Sequence, residues 1–341
     1  IKKLLQGQAV EWRALGEVLV RTKGIKITAG KMKELHKSNA PIKIFAGGKT
    51  FALVDFDDIP QKDINHKPSI IVKSRGIIEF EYYDKPFSHK NEMWAYHSQN
   101  PNINIKFIYY FLKQNEPYFQ KIGSKMQMPQ IATPDTDKFK IPIPPLSVQA
   151  KIVQILDTFT ELNDQLTTEL GMRQKQYQYY RDLLLSEHEL AKVGFEWKTL
   201  GKLGIINRGK RVVKSQLTTE GVYPVYQNSL QPLGYFDKSN VKANTTFMIT
   251  AGAAGEIGYS NCAFWSADDC YYFDCPKDVL DDRFLYHSLK KQQNKIFSQV
   301  RKASIPRLGR NSVENIKIPI PPLSVQSQIV AILDTFDTLT Q

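Results

Sequence analysis

Clusters of lysine and arginine in glycine- or proline-containing loops are the residues of this sequence with the most evident chemistry. Such side chains neutralise phosphates, and arginine can also donate two hydrogen bonds to a guanine edge. Amide side chains that follow the run Val222–Tyr226 could hydrogen-bond to base edges. These residue types predict a surface that binds a polyanion. The candidate residues are Arg75, Lys121, Lys125, Arg208, Lys210, Arg211, Lys214, Gln227, Asn228, Arg301, Lys302 and Arg307.

The positive charge of the chain is concentrated in two blocks. The 341 residues include 46 Lys and Arg against 34 Asp and Glu, which gives a formal net charge of +12. Residues 1–140 carry +9 and residues 191–317 carry +8, whereas residues 141–190 and 318–341 carry −3 and −2. Two separate basic blocks favour two polyanion-binding surfaces, and a generally basic surface is the alternative.

The sequence lacks the motifs that we sought for catalysis. Gly48-Lys49-Thr50 ends like a phosphate-binding loop, but that motif requires a glycine at position 43, which is a lysine. No G-x-G-x-x-G, H-E-x-x-H or G-x-S-x-G pattern occurs. The Asn/Asp-Pro-Pro-aromatic tetrapeptide of methyl transfer is also missing. We therefore assign no catalytic residue and expect a binding protein.

Cysteine usage and hydropathy indicate a cytoplasmic protein. Cys262, Cys270 and Cys275 contain no C-x-x-C pair, so we interpret them as buried small residues and not as zinc ligands. Three cysteines also exclude a disulfide framework and suit a reducing compartment. No apolar run is long enough to span a membrane, and the first residues lack the apolar core of a signal peptide.

The chain is an internal duplication. The segment that begins at Ile141 recurs at Ile318, and 17 of the 24 aligned positions are identical at an offset of 177 residues. The Glu-Trp-x-x-Leu-Gly pattern at Glu11 recurs at Glu196, now at an offset of 185. Each half therefore consists of a divergent globular part followed by a nearly invariant segment.

The invariant segment predicts a long helix. Apolar residues recur from Val148 at alternating spacings of four and three, which is the seam of a coiled coil. Ser147 is the expected N-cap. A helix–helix or partner interface is favoured over burial of the helix against its own domain, which stays open as an alternative. The interface residues are Val148, Ile152, Ile155, Phe159, Leu162, Leu166, Tyr177, Tyr180, Leu184, Val325, Ile329, Ile332 and Phe336.

The divergent parts predict small mixed α/β (α+β) lobes. Short β-like runs bounded by turn residues occur in both halves, and one helix precedes the invariant segment in each, near 104–115 and 281–297. Strands so short and closely spaced favour an open curved sheet over βαβ units. The expected strands are Lys43–Ala46, Lys49–Val54 and Ser69–Lys73 in the first half, and Thr245–Thr250 and Asp269–Phe273 in the second.

The order of these segments resembles the specificity (S) subunit of type I restriction–modification enzymes. The pattern PIPPLSVQ-x-x-IV-x-ILD-x-F occurs twice, each time after an EW-x-x-LG pattern and a variable domain, and the stretch Gln174–Leu184 follows the first copy. The resemblance covers essentially the full chain. It implies two target recognition domains, each reading one half of a bipartite double-stranded DNA sequence. It also implies that the two conserved helices pack as an antiparallel coiled coil between them.

The resemblance further implies partners and a division of labour. The conserved helices would dock methyltransferase (M) subunits, and restriction/translocase (R) subunits would join the assembly. S-adenosylmethionine, ATP and magnesium would then belong to the partners, with no cofactor in this chain, which agrees with the missing motifs. Two other hypotheses stay open, namely a coiled-coil scaffold that binds only proteins and an unrecognised DNA-modifying enzyme.

The duplication and the resemblance together divide the chain into four expected parts. We expect a first target recognition domain at residues 1–140, a central conserved helix at 141–190, a second target recognition domain at 191–317 and a shortened distal helix at 318–341. The second copy stops at Gln341, the equivalent of Asp164, so no counterpart of residues 174–184 follows it in the sequence. We expect partner docking at that end to be incomplete.

Overall fold

Contacts divide the chain into two compact units, Ile1–Asp164 (unit 1) and Gln165–Gln341 (unit 2). The structure is a computed structural model that describes residues 10–124 and 128–338. Each unit contains one basic, divergent part of the duplicated sequence. One long helix, α6 (Leu146–Leu184), begins in unit 1 and ends in unit 2.

Unit 1 is built from nine short strands and several helices within its described residues. The strands are β1 (Glu11–Ala14), β2 (Val20–Arg21), β3 (Ile42–Phe45), β4 (Phe51–Val54), β5 (Ser69–Lys73), β6 (Glu79–Tyr83), β7 (Phe87–His89), β8 (Trp94–His97) and β9 (Lys140–Ile143). The helices before α6 are α1 (Leu15–Val18), α2 (Ala29–Leu35), a 3-10 turn at Gln61–Asp63, α3 (Ile105–Gln114), α4 (Glu116–Gly123) and α5 (Thr133–Asp137).

The strands of unit 1 form two small sheets and a ribbon. An antiparallel four-stranded sheet has the order β2-β8-β5-β6, and a three-stranded sheet has the order β4-β3-β7. In the second sheet β3 pairs antiparallel with β4 and parallel with β7. A ribbon of β1 and β9 joins the two ends of the divergent part, so the lobe is closed at its base.

Unit 2 repeats these elements along the chain. Its strands are β10 (Glu196–Thr199), β11 (Ile206–Arg208), β12 (Tyr223–Tyr226), β13 (Gly234–Phe236), β14 (Thr245–Ile249), β15 (Ile257–Ser260), β16 (Trp265–Ser266), β17 (Cys270–Phe273) and β18 (Lys317–Ile320). Its helices after α6 are α7 (Glu187–Ala191), α8 (Leu200–Leu203), a 3-10 turn at Lys214–Gln216, α9 (Asp282–Lys291), α10 (Gln293–Phe297), α11 (Arg310–Glu314) and α12 (Leu323–Thr338).

The two units share one topology. The sheets of unit 2 have the orders β11-β17-β14-β15 and β13-β12-β16, with a β10-β18 ribbon, and each strand corresponds to one of unit 1. The registers also match, since Arg21 lies opposite Tyr96 as Ile206 lies opposite Phe273. The duplication seen in the invariant segment therefore extends through the divergent parts as well.

A buried glutamine fixes the start of each invariant helix. The side chain of Gln149 accepts a hydrogen bond from the backbone N–H of Asn104 and donates to the carbonyls of Asn102 and Pro144, at 2.8–3.1 Å. Gln326 makes the same three bonds in unit 2, from Asp281 and to Val279 and Pro321. Both glutamines are fully buried, so their side-chain amides depend on these three backbone groups for hydrogen bonds.

The residues whose N–H groups bond to the glutamines are also the N-caps of the helices that pack on the sheets. Asn104 caps α3 and Asp281 caps α9, each by accepting bonds from two backbone N–H groups of the first turn. Each helix buries a phenylalanine and at least two further apolar residues in its lobe core, with Phe107 in unit 1 and Phe284 in unit 2. The glutamine therefore holds together the helix of the divergent part and the invariant helix.

The expected strands and helices are confirmed, with four corrections. The single helix expected near 281–297 is two helices, α9 and α10, which are separated at Gln292. The central helix expected at 141–190 begins at Leu146 and ends at Leu184, so Ser147 lies inside its first turn and is not its N-cap. Each lobe has two sheets where one open sheet was expected, because β3 and β12 pair with strands outside the larger sheet. Cys270 and Cys275 are buried as predicted, but Cys262 is exposed.

A candidate nucleic-acid interface

Four arginines surround a cleft of about 470 Å³ in unit 2. Three of them, Arg208, Arg301 and Arg307, are candidate residues from the sequence, and Arg310 joins them. All four are exposed, as polyanion contacts must be. The fold thus brings together basic residues that lie about a hundred positions apart in the chain.

One wall of the cleft is a loop whose two ends are joined by backbone hydrogen bonds. The N–H groups of Arg301 and Arg307 each donate to the carbonyl of the other, at 2.9 and 3.2 Å. The loop is anchored to the sheet, because the N–H of Leu308 donates to the carbonyl of Thr250. Both arginines are therefore held at the base of a short hairpin whose tip carries Lys302 and the exposed Ile305.

The opposite wall comes from the end of strand β11. Arg208 pairs with Tyr271 on β17, and its Nε donates to the carbonyl of Asp268 at 3.2 Å. Gly209 follows, and a Cβ at this position would lie 2.0 Å from the carbonyl oxygen of Ala267. Glycine is required here because the backbone passes directly over another strand end. The glycine therefore fixes the direction in which the basic loop leaves the sheet.

Two aspartates balance part of the positive charge of the cleft. Oδ1 of Asp269 lies 3.6 Å from Nη1 of Arg307, and Oδ1 of Asp268 lies 3.5 Å from Nε2 of Gln227. The Arg307 side chain is 62% exposed, and ion pairs of this kind contribute about 0–1 kcal/mol. A phosphate or a base edge could therefore replace the carboxylate at small cost.

The polar candidates Gln227 and Asn228 lie beside the same cleft. Gln227 contacts Asp268 as described, and the carbonyl of Asn228 accepts a hydrogen bond from the N–H of Ala253. The neighbouring Gly252 donates to the carbonyl of Pro306, in the arginine loop. Residues 227–228, 252–253 and 306–307 are therefore adjacent in space.

The remaining basic candidates of unit 2 are exposed but do not line the cleft. Lys210 is fixed through its backbone, since its N–H donates to Ser266 and its carbonyl accepts from the indole of Trp265. Arg211 and Lys214 follow in the chain, and Lys302 is next to Arg301. These residues extend the basic character away from the cleft, and their function stays a prediction.

In unit 1 the equivalent position also carries candidate residues. Arg75 is exposed and forms a backbone bridge with Gln130, as Ala251 does with Arg307 in unit 2. The N–H of Gln130 donates to Gly123, at the end of the helix that carries Lys121. The structure thus brings Arg75 and the Lys121 helix to one edge of the lobe, while Lys125 lies outside the described residues.

Both halves of the chain match one family of known proteins. A model of the type I restriction modification DNA specificity domain matches residues 10–171 and again residues 192–341. The chain belongs to this specificity family. The two matches coincide with the two halves of the duplication, so each lobe with the helix that follows it is one family domain.

Similar proteins of known name support the same assignment. The chain is 28% identical over 373 residues to a putative type I restriction enzyme specificity subunit of Haemophilus influenzae, covering all of this chain and 91% of that protein. It is 29% identical over 370 residues to the EcoR124I/EcoR124II specificity subunit of Escherichia coli, covering all of this chain and 90% of that one. The crystal structure of a type I S subunit from M. genitalium has the same fold, with a TM-score of 0.76, 20% identity and coverage of 98% of this chain and 91% of that one.

The register of the two family domains identifies a residue that the sequence reasoning missed. Lys23-Gly24 lies at the strand end of unit 1 where Arg208-Gly209 lies in unit 2, and a Cβ on Gly24 would be 2.4 Å from the carbonyl oxygen of Lys90. Lys23 is exposed. The sequence does contain a signal for Lys23. The offset of 185 residues at the start of each half continues without a gap to this position and aligns Lys23 with Arg208.

The predicted interface residues fall into three groups. Val148 is buried, Ile152 and Val325 pack against the cores of their own lobes, and Ile329 belongs to such a core. The exposed group consists of Ile155, Phe159, Leu162, Leu166 and Ile332. The third group is in unit 2, where Tyr177, Tyr180 and Leu184 of α6 pack against the lobe and Tyr180 stacks on Phe336 of α12. The residues of the first group are thus buried against their own lobes, which was the alternative to a helix–helix or partner interface.

The described part of the chain has neither a metal-binding cluster nor a membrane-spanning helix. Within residues 10–124 and 128–338, no group of three or more His, Cys, Asp or Glu is arranged to hold a metal ion. Over the same ranges, none of the helices combines the length and the apolarity that crossing a membrane requires.

Proposed function

We propose that the chain is the non-catalytic DNA-binding specificity subunit of a type I restriction–modification enzyme. The observation that carries this proposal is the arginine cleft of unit 2, which lies at the same strand ends as Lys23, Arg75 and Gln130 in unit 1. Exposed guanidinium groups beside amide side chains are suited to duplex DNA, since arginine recognises guanine and amides recognise adenine. Family membership and the names of the relatives support the same function.

Each lobe would read one half of a bipartite target. The lobes share a fold but present different residues at equivalent positions, with Gln130 in one where Arg307 stands in the other. Such a difference gives each lobe its own base preference while the backbone position stays fixed.

The invariant helices would set the spacing of the half-sites and dock methyltransferase subunits. The exposed apolar residues of α6, from Ile155 to Leu166, support a partner surface. Restriction/translocase subunits would join this assembly, and S-adenosylmethionine, ATP and magnesium would be bound by those partners, with no cofactor in this chain. Such an assembly would act on DNA in the cytoplasm.

Salt-dependent binding tests the DNA surface. The double variant Arg208→Ala/Arg307→Ala and the charge-matched control Lys192→Ala/Lys202→Ala are titrated with a duplex at two salt concentrations. Since each lost phosphate contact lowers the log–log salt slope by about 0.9, the cleft variant should bind more weakly with a flatter slope, whereas the control should resemble the parent.

The outcome also distinguishes the competing hypotheses. Equal affinities for all three proteins would show that the cleft is an ordinary solvated surface. No DNA binding by the parent chain, with assembly on a protein partner that is insensitive to salt, would favour the scaffold. Methylation or cleavage of DNA by the chain alone would show that it is an enzyme.

A further inference from the structure

A large apolar side chain stands in water among the basic groups of unit 2. Ile305 is 53% exposed and lines the arginine cleft together with Arg301 and Arg307. Single exposed apolar residues are common on protein surfaces and need no special explanation. Ile305 differs from these in its surroundings, because it lies beside the cations to which we assign DNA binding.

Unit 1 has an exposed apolar residue at the equivalent position. At the offset of 177 residues, Ile305 corresponds to Met128, which is 64% exposed. A proline follows in both halves, as Pro129 in unit 1 and Pro306 in unit 2. Each lobe therefore leaves a large apolar side chain in water at the same point of the repeated fold.

The backbone fixes this position in the same way in both lobes. The carbonyl of Pro306 accepts a hydrogen bond from the N–H of Gly252 at 3.1 Å, and the carbonyl of Pro129 accepts one from Gly76 at 2.8 Å. Both glycines have a positive φ, 81° and 75°, which other residues seldom adopt. The proline also restricts the residue before it to extended conformations. The apolar side chain is therefore presented by a backbone that is already ordered before any ligand binds.

The polar residues beside this position differ between the lobes, whereas its apolar character does not. Arg307 and Arg310 of unit 2 correspond to Gln130 and Thr133 of unit 1. Arginine and amide side chains recognise different bases, so these positions can give each lobe its own preference. An apolar side chain makes no hydrogen bond to a base edge. A feature common to both lobes therefore favours a step that both half-sites undergo.

Unstacking of the duplex is such a step. Enzymes that modify a base of duplex DNA take that base out of the stack, and this applies to a methyltransferase at either half-site. Isoleucine and methionine side chains can enter a base step and unstack it. We propose that Ile305 and Met128 insert between stacked base pairs of the two half-sites and so lower the free-energy cost of extruding the target base. The proposal rests on the proposed function, since it requires that both lobes bind duplex DNA.

A duplex with a gap in its base stack tests the proposal on the full chain. One labelled duplex of arbitrary sequence is prepared with and without a single abasic site, and both forms are titrated in fluorescence anisotropy. The parent chain should bind the abasic form at least about threefold more tightly, because the gap admits the side chain without unstacking. The variant Ile305→Ser/Met128→Ser should bind both forms equally, whereas Ile305→Leu/Met128→Leu should keep the preference.

The salt dependence of binding separates insertion from a displaced loop. None of these substitutions changes a charge, so the log–log salt slope for the intact duplex should stay that of the parent. Val193→Ser is the matched control, since Val193 is 47% exposed and lies outside the cleft. It should keep both the slope and the preference for the abasic form.

The failure of insertion differs from the failure of DNA binding. A parent chain that binds neither duplex overturns the proposed function and this proposal together. Salt-dependent binding by the parent without a preference for the abasic form overturns insertion alone, and so does a serine variant that keeps the preference. A flatter salt slope in the serine variant also overturns it, because the substitutions would then have moved the basic loop.

Discussion

At the scale of single residues, one glutamine occurs at the same position of both halves and makes the same hydrogen bonds in each. The fully buried Gln149 and Gln326 each hydrogen-bond to three backbone groups, which explains why this polar residue occurs in both copies of the segment. Alanine at either position would leave those groups without partners in a site closed to water. The glutamine is thus a structural residue that joins the invariant helix to its lobe.

Replacement of this glutamine should destabilise the lobe to which it belongs. We expect Gln149→Ala to lower the free energy of unfolding by about 1–3 kcal/mol, since a buried donor and buried acceptors are left unsatisfied. Gln154→Ala, an exposed position on the same helix, should change it by less than about 0.5 kcal/mol. Chemical denaturation of both variants measures the difference, and equal stability would refute the role assigned to Gln149.

A carboxylate in unit 2 gives a prediction for pH. Burial raises the pKa of Asp334, but hydrogen bonds from His287 and Arg283 outweigh it and hold the pKa below its ordinary value. A depressed pKa in the folded state means that the stabilisation is present above the ordinary aspartate pKa and is lost as the pH falls through the folded value. Asp334→Asn should therefore lower stability near neutrality and flatten the acid limb of a stability–pH curve. An unchanged acid limb would contradict the assignment.

At the scale of elements, a glycine at a strand end controls each basic loop. The backbone at Gly209 crosses the carbonyl of Ala267 so closely that no side chain fits, and Gly24 does the same over Lys90. The position of Arg208 depends on this crossing, since the arginine immediately precedes it. The proposed DNA surface would thus be positioned by backbone packing as well as by the charges themselves.

Alanine at this glycine should displace the cleft wall. We expect Gly209→Ala to weaken duplex binding at least as much as Arg208→Ala does, because the loop must move to admit the methyl group. Gly309→Ala is the control in the same cleft, since a Cβ there would meet no atom within 4 Å. Binding titrations compare the three variants. Parent-like affinity of Gly209→Ala in a folded protein would show that the crossing does not position the DNA surface.

The elements differ in how far the sequence predicts them. The 4-3 pattern from Val148 and the short apolar runs were sufficient for the long helix and the larger strands, because these signals are local. The second sheet was not predictable, since its parallel β3–β7 pairing joins residues about forty positions apart. The sequence predicted that basic residues would form the binding surface. It did not predict which of them line the cleft, including Arg310, because that depends on a loop closed by the backbone hydrogen bonds between Arg301 and Arg307.

At the scale of the whole molecule, duplication explains the pattern of similarity between the halves. The invariant segments keep the glutamine contacts and the helices, whereas the lobes keep only the topology and the glycine crossings. The positions that differ include Gln130 and Arg307, which occupy equivalent places beside the proposed DNA surface. This is the distribution expected of two readers with separate base preferences on a common frame.

The measurement that tests this account most directly is an exchange of one lobe. Residues 15–135 are replaced by the corresponding part of a related family member, the hybrid is assembled with the methyltransferase subunits, and the methylated adenines are mapped across a genome. The account predicts that one half-site changes to that of the donor while the other half-site and the gap between them stay the same. A simultaneous change in both half-sites would contradict the central claim that each lobe reads its own half of the target.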